Sequence, residues 1–264
     1  MERSNRVWWG DYELERGQSG RWRIGPLELH IRRSASEWRI AWISPGSPKD
    51  EAIEVEVPTQ AELPRGAKVN RYTQKATSPK LTLSGALADR SVVVKPETPL
   101  FIPGGEEVTL YVGSPVWVRV LVGDPPVQLA EIPSHRATDT WAGPNTREGE
   151  VCYGSRTLAQ LDLAECTIRP HRAITAVHVR NRAPDPLLLE QIQLPAPMLA
   201  LYATAGGILW TQSVTLVREP AQAGARLEIG AADPPDGGVL RQLSEPRSRQ
   251  QDNVVFQVFN RLFG

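Results

Sequence analysis

The densest run of chemistry-bearing side chains in the sequence lies between positions 135 and 172. It comprises His135, Arg136, Asp139, Trp141, Asn145, Glu148 and Tyr153, followed by His171 and Arg172. Imidazole, carboxylate and phenol groups move protons or orient a polar ligand, and loops between rigid elements are where such groups gather into sites. From this run His135, Asp139, Trp141, Asn145, Tyr153 and His171 are the candidate residues of a small-ligand or enzyme site. No named motif joins them, and no catalytic residue is assigned. A metal centre needs three or four converging nitrogen, oxygen or sulfur ligands, which His135, His171, Cys152 and Cys166 have the types to supply. The sequence has neither a close His pair nor a Cys-x-x-Cys, so no metal and no cofactor is expected. It also lacks a Gly-x-Ser-x-Gly elbow. Its glycine pairs fall at turn-like positions with no helix after them, unlike a phosphate-binding loop or dinucleotide fingerprint.

The other chemically notable residues have plainer readings. Cys152 and Cys166 are too few for a disulfide scaffold and are expected to be reduced, as small core side chains. His178 shares a strand face with Arg180, opposite Thr175, Val177 and Val179, which predicts solvent exposure. Trp38 and Trp42 fall on the face of Ile40, the core-facing set, which argues against a sugar-binding platform. Trp8 and Trp9 are adjacent, so on a strand one of the two would point away from the core.

The elements that must position these residues are strands. Leu27, Leu29 and Ile31 alternate with Glu28, His30 and Arg32, and Trp38, Ile40 and Trp42 with Arg39 and Ala41. The same period of two recurs at Ile53–Val57, at Val108–Val112 and through Val116, Val118, Val120 and Val122. Punctuation such as Pro45-Gly46 and Pro103-Gly104-Gly105, within 23 prolines and 21 glycines, leaves little room for long helices. The phrase Val92-Val93-Val94-Lys95 with Pro99-Leu100 is echoed by Val177-His178-Val179-Arg180 with Pro186-Leu187, which suggests a duplicated unit. The expectation is an all-β chain of two tandem antiparallel β-sandwich halves, jelly-roll or Ig-like, over 1–133 and 134–252. A short C-terminal amphipathic helix over 253–264 follows, because Val255, Phe256, Phe259, Leu262 and Phe263 recur at three- and four-residue intervals. That apolar stripe is the candidate partner-binding surface, for a protein partner or a second copy of the chain.

Thirty basic side chains balance thirty acidic ones in 264 residues, which removes the long-range field that draws proteins to nucleic acid or anionic membranes. Arg outnumbers Lys 25 to 5, but the arginines are dispersed. No stretch reaches the length and apolarity of a membrane span, and the first 20 residues carry no apolar signal core, so a cytoplasmic location is expected.

Trp22-Arg23-Ile24-Gly25-Pro26-Leu27, Lys95-Pro96-Glu97-Thr98-Pro99-Leu100 with Pro103-Gly104-Gly105-Glu106-Glu107, and Thr140-Trp141-Ala142-Gly143-Pro144 with Cys152-Tyr153 resemble an uncharacterised archaeal and bacterial family. The likeness covers nearly the whole chain and implies no activity or site residues. It implies at most a partner among membrane proteins such as small mechanosensitive channels. The expected function is therefore a non-catalytic interaction or structural module. An enzyme or small-ligand binder using the loops between the halves is the alternative.

Overall fold

The computed structural model describes residues 7–47, 49–143, 147–220, 224–234, 238 and 240–248, and the backbone of 255–256. It is almost wholly β. In chain order the strands begin with β1 (Gly10–Glu13), β2 (Ser19–Ile24), β3 (Leu27–Arg33), β4 (Glu37–Ile43), β5 (Ile53–Thr59) and β6 (Lys68–Thr73). Next come β7 (Lys80–Ala86), β8 (Val92–Pro96), β9 (Leu100–Ile102), β10 (Glu107–Pro115), β11 (Trp117–Val122) and β12 (Val127–Pro133). The second half holds β13 (Thr138–Ala142), β14 (Glu150–Ala159), β15 (Arg172–Asn181), β16 (Leu187–Leu189), β17 (Ile192–Leu194) and β18 (Leu201–Thr204). It ends with β19 (Leu209–Thr211), β20 (Val214–Arg218), β21 (Ala225–Ile229), β22 (Leu240–Ser244) and β23 (Val255–Phe256). Two single-turn 3₁₀ helices, Leu163–Glu165 and Ala196–Met198, are the helical elements among the described residues.

The first sheet, in the order β5-β2-β3-β4-β6, follows directly from the alternation in the sequence. Register places Val55 opposite Trp22, Trp22 opposite Leu29 and Leu29 opposite Trp42, an apolar row across four strands on the core side. The intervening residues form a charged ladder on the other face. There Arg21 bonds Glu28 at 3.0 Å and Glu54 at 3.0 Å, and Arg23 bonds Asp50 at 2.8 Å. Cross-strand pairing of this kind joins same-face neighbours, which is why a period of two yields one apolar and one ionic surface.

The remaining strands form a sheet β1-β7-β11-β12, a sheet β13-β14-β8-β17, the pair β16-β9, and a large sheet β22-β18-β19-β15-β20-β21-β23 to which β10 adds on β15. β10 and β15 run antiparallel through nine residue pairs, from Glu107 opposite Arg180 to Pro115 opposite Arg172. The valine alternation through 108–122 is thus split between two sheets, with β10 and β11 parting at Val116.

Strand pairing does not divide at Pro133. β8 pairs with β14 and β17, β9 with β16 and β10 with β15, and one apolar core extends from Trp8 to Leu227. Position 133 is therefore not a gap in hydrogen bonding, and these pairings do not show two tandem sandwiches. The echoed phrases also part company, β8 and β15 lying in different sheets.

The expected C-terminal helix is corrected at its start. Val255 and Phe256 form a strand antiparallel to β21, Phe256 opposite Ala225 and Val255 opposite Arg226. The β-branched valines at 254, 255 and 258 favour the extended form over a helix. Phe259, Leu262 and Phe263 lie outside the described residues. Trp8 and Trp9 are both buried, with rings 5.3 Å apart edge to face. They precede β1, so the strand rule that would expose one of them does not apply, and Trp8 Nε1 donates to Pro170 O at 2.7 Å.

Candidate functional site

The structure brings together only part of the run read from the sequence. Asp139 and Tyr153 are direct partners in the β13–β14 pair, so they share a face. Asp139 meets Arg90 at 3.4 Å and Arg136 at 3.7 Å, and the Tyr153 hydroxyl donates to Asp89 at 2.9 Å. The Arg90 guanidinium lies 5.4 Å from the centre of the Tyr153 ring, and the Trp117 ring packs 5.5 Å away on the same phenol. Burial, and then the Asp89 hydrogen bond, push the Tyr153 phenol above its ordinary value. Such an exposed ion-pair set is worth about 1 kcal/mol or less and each member has a partner. Trp141 is exposed opposite Val151, and His135 is half-buried between β12 and β13. Asn145 lies outside the described residues.

His171 belongs to a different neighbourhood. It is fully buried against the first sheet, where a β-carbon on Gly25 would lie 2.2 Å from its Nδ1. Its backbone carbonyl accepts from Val116 N at 3.1 Å and from Ser134 Oγ at 3.3 Å. His178 is half-buried rather than exposed, with Nδ1 2.9 Å from Thr109 Oγ1.

Beside His171 an open pocket of about 470 Å³ is formed by chain segments far apart in sequence. The link between β4 and β5 supplies Ser47 and Lys49, β10 supplies Gly113, and the stretch from Leu158 to Ile174 supplies most of the rest, including Gln160, Glu165, Cys166, Thr167, Arg169 and Arg172. Each side is held by local hydrogen bonds. Asp50 fixes the first link, accepting from Ala52 N at 3.0 Å and from Arg23 Nη2 at 2.8 Å, while Lys49 N donates to Ser47 Oγ at 3.2 Å. Those bonds, Ala52 N–H first, hold the Asp50 carboxyl below the usual carboxylate range. On the other side Asp162 caps the turn Leu163–Glu165 by accepting from Ala164 N at 2.9 Å, and Gln160 exchanges two backbone bonds with Tyr111 at 2.7 and 3.0 Å.

Arg172 is the unusual member. It is 4% exposed, and its Nη1 donates to Gly113 O at 3.2 Å. Burial, and then the like charge of Arg169, lower its pKa to about 10, which still leaves it a cation at neutral pH. Arg169 Nε is itself buried with no hydrogen-bond partner among the described residues. A guanidinium buried beside a second cation makes a place where an anion is favoured. Among the described residues, Glu165 is the one carboxylate lining the pocket, against Lys49, Arg169 and Arg172. The arrangement suits an oxyanion, since guanidinium forks match phosphate and carboxylate oxygens.

Arg172 stood beside the sequence candidates, but Lys49 and Arg169 did not stand out. The available signal was the basic tetrapeptide Arg169-Pro170-His171-Arg172, and nothing local linked it to position 49. Among the described residues, no three His, Cys, Asp or Glu side chains gather as metal ligands. Burial pushes the Cys152 thiol up to about 12 and raises Cys166, so neither is a thiolate at neutral pH. No described helix is long and apolar enough to cross a membrane.

The chain matches, over residues 8–263, the model of a family described as protein of unknown function (DUF432), and it belongs to that family. Neither a curated protein nor a solved structure is significantly similar to it.

Proposed function

We propose that this DUF432 member is a non-catalytic binding protein for a small negatively charged molecule, held in the pocket of Lys49, Arg169 and Arg172. The observation that carries this reading is the buried Arg172 beside Arg169, both facing an open space of about 470 Å³. That size is within the range of small-molecule sites, and the lining combines a few charged groups with the apolar Leu158 and Ile174. Calorimetric titration of the full chain with inorganic phosphate tests it. Saturable binding that weakens about tenfold or more in Arg169→Gln is expected, as loss of a charge-assisted contact requires. Absence of heat in the wild type with phosphate and with phosphate esters alike would remove the proposal.

A second reading, an interaction module for a protein partner such as a membrane channel or another copy of the chain, is favoured by one separate feature. Trp141 and Val151, each 46% exposed, sit directly opposite each other on β13 and β14 and form an outward apolar pair. Light scattering of the wild type and of Trp141→Glu decides whether that pair joins copies of the chain.

A further inference from the structure

Building on the proposed anion-binding role, we infer that the pocket takes a soluble phosphate monoester whose organic part is apolar, with the phosphate on Lys49, Arg169 and Arg172 and the organic part along Leu158 and Ile174. Three features lead there. Among the described residues the lining places three cations against one carboxylate, Glu165, an excess of positive charge that matches a dianion better than a carboxylate. Inorganic phosphate is far smaller than a space of about 470 Å³, so the anionic head leaves room for a body. That body meets carbon: Leu158 is 43% exposed on β14, Ile174 sits in register with Gly113 of β10, and the neutral thiol of Cys166 completes the wall. An exposed leucine gains by being covered, at roughly 25 cal/mol per Å².

Isothermal titration of the full chain with inorganic phosphate, phenyl phosphate and benzoate separates the parts of this inference. Phenyl phosphate is expected to bind about tenfold or more tightly than inorganic phosphate, the gain from covering roughly 60 Å² of apolar surface. It is also expected to bind more tightly than benzoate. In Leu158→Ser, a substitution at an exposed position, the ratio of phenyl phosphate to inorganic phosphate affinity should fall toward one. In Arg169→Gln both phosphates should weaken. Equal affinity for the two phosphates overturns this inference and leaves the anion-binding role standing. Failure of both phosphates removes that role as well. Benzoate binding as tightly as phenyl phosphate overturns the dianion. Co-sedimentation with phosphatidylcholine vesicles containing phosphatidic acid, dependent on Arg169 and without phenyl phosphate binding, would overturn the soluble ligand in favour of a lipid headgroup.

Discussion

Replacing Gly25 by Ala tests how firmly the first sheet is pressed against the pocket. Gly25 has φ of +54°, in the left-handed region, and its absent side chain leaves the space filled by His171. A β-carbon there would stand 2.2 Å from His171 Nδ1 and 2.9 Å from Asp50 O. The left-handed backbone costs about 1–2 kcal/mol for a residue with a β-carbon. Forcing the imidazole and the Asp50 backbone apart adds about 1–3 kcal/mol of overpacking. For a chain of this size 1 kcal/mol moves Tm by roughly 2–4 °C, so Gly25→Ala should melt about 5–15 °C lower. Gly66→Ala supplies the control. Its φ is +82° but nothing lies within 4 Å of the added carbon, so only the backbone cost applies, about 1–2 kcal/mol. Differential scanning calorimetry of the two variants reads the difference directly. Because His171 precedes Arg172, the displacement should also weaken phenyl phosphate binding in Gly25→Ala and leave it intact in Gly66→Ala. If the two variants melt within about 2 °C of each other, the tight contact with His171 is not a rigid feature of the fold and the argument fails.

Three further outcomes follow from buried or paired groups. Asn181, 1% exposed, donates through Nδ2 to Ile102 O at 2.9 Å, Pro103 O at 3.1 Å and Asp185 O at 2.9 Å; Asn181→Ala removes all three bonds, leaving Pro103 O with Glu106 N and Asp185 O with Arg218 Nη1, and should cost about 1–3 kcal/mol in urea unfolding. Asp50 has its carboxyl held below the ordinary 3.8, so its stabilising contribution is present above that pH and is lost as pH falls through the lower folded value. The Tm gap between wild type and Asp50→Asn should therefore be full at pH 6 and close in more acidic buffer; a gap constant with pH would contradict the Arg23 and Ala52 bonds. Cys152 is fully buried with its thiol pushed up to about 12, so Ellman's reagent should titrate at most one thiol, Cys166, in the native chain and two in denaturant.

The legible part of the fold was the part decided within a strand. Leu27, Leu29, Ile31, Trp38 and Ile40 alternate with polar residues, and all five are buried in the first sheet. Strand β6, Lys-Val-Asn-Arg-Tyr-Thr, gave no such signal because it is an edge with almost every side chain exposed. Pairing between distant strands was not legible either. Nothing in Glu107–Pro115 names Arg172–Asn181 as its neighbour, since any apolar alternation offers the same edge. For the same reason the candidate run split: Asp139 and Tyr153 meet because β13 and β14 are adjacent in sequence, whereas His171 is carried to the first sheet by the start of β15.

The tetrapeptide Arg169-Pro170-His171-Arg172 shows how packing assigns roles that composition leaves open. Its two middle residues are committed to the core: Pro170 O accepts from Trp8 Nε1 at 2.7 Å, and the His171 ring fills the space left by Gly25. A backbone bond from Arg172 N to Arg169 O at 3.2 Å closes the turn and brings the two flanking arginines to the same pocket. An imidazole in a candidate run reads first as chemistry, and here it is a spacer whose burial fixes the arginines on either side. Arg172, at the end of that run, is 4% exposed and loses basicity to burial. With Arg172 buried and Arg169 close enough to lower its basicity, an anion bound in the pocket would be favoured by both. On the proposed function ligand binding and stability are coupled, and a phosphate monoester that occupies the pocket should raise Tm in proportion to the logarithm of its concentration, a rise that Arg169→Gln should move to about tenfold or more higher concentration.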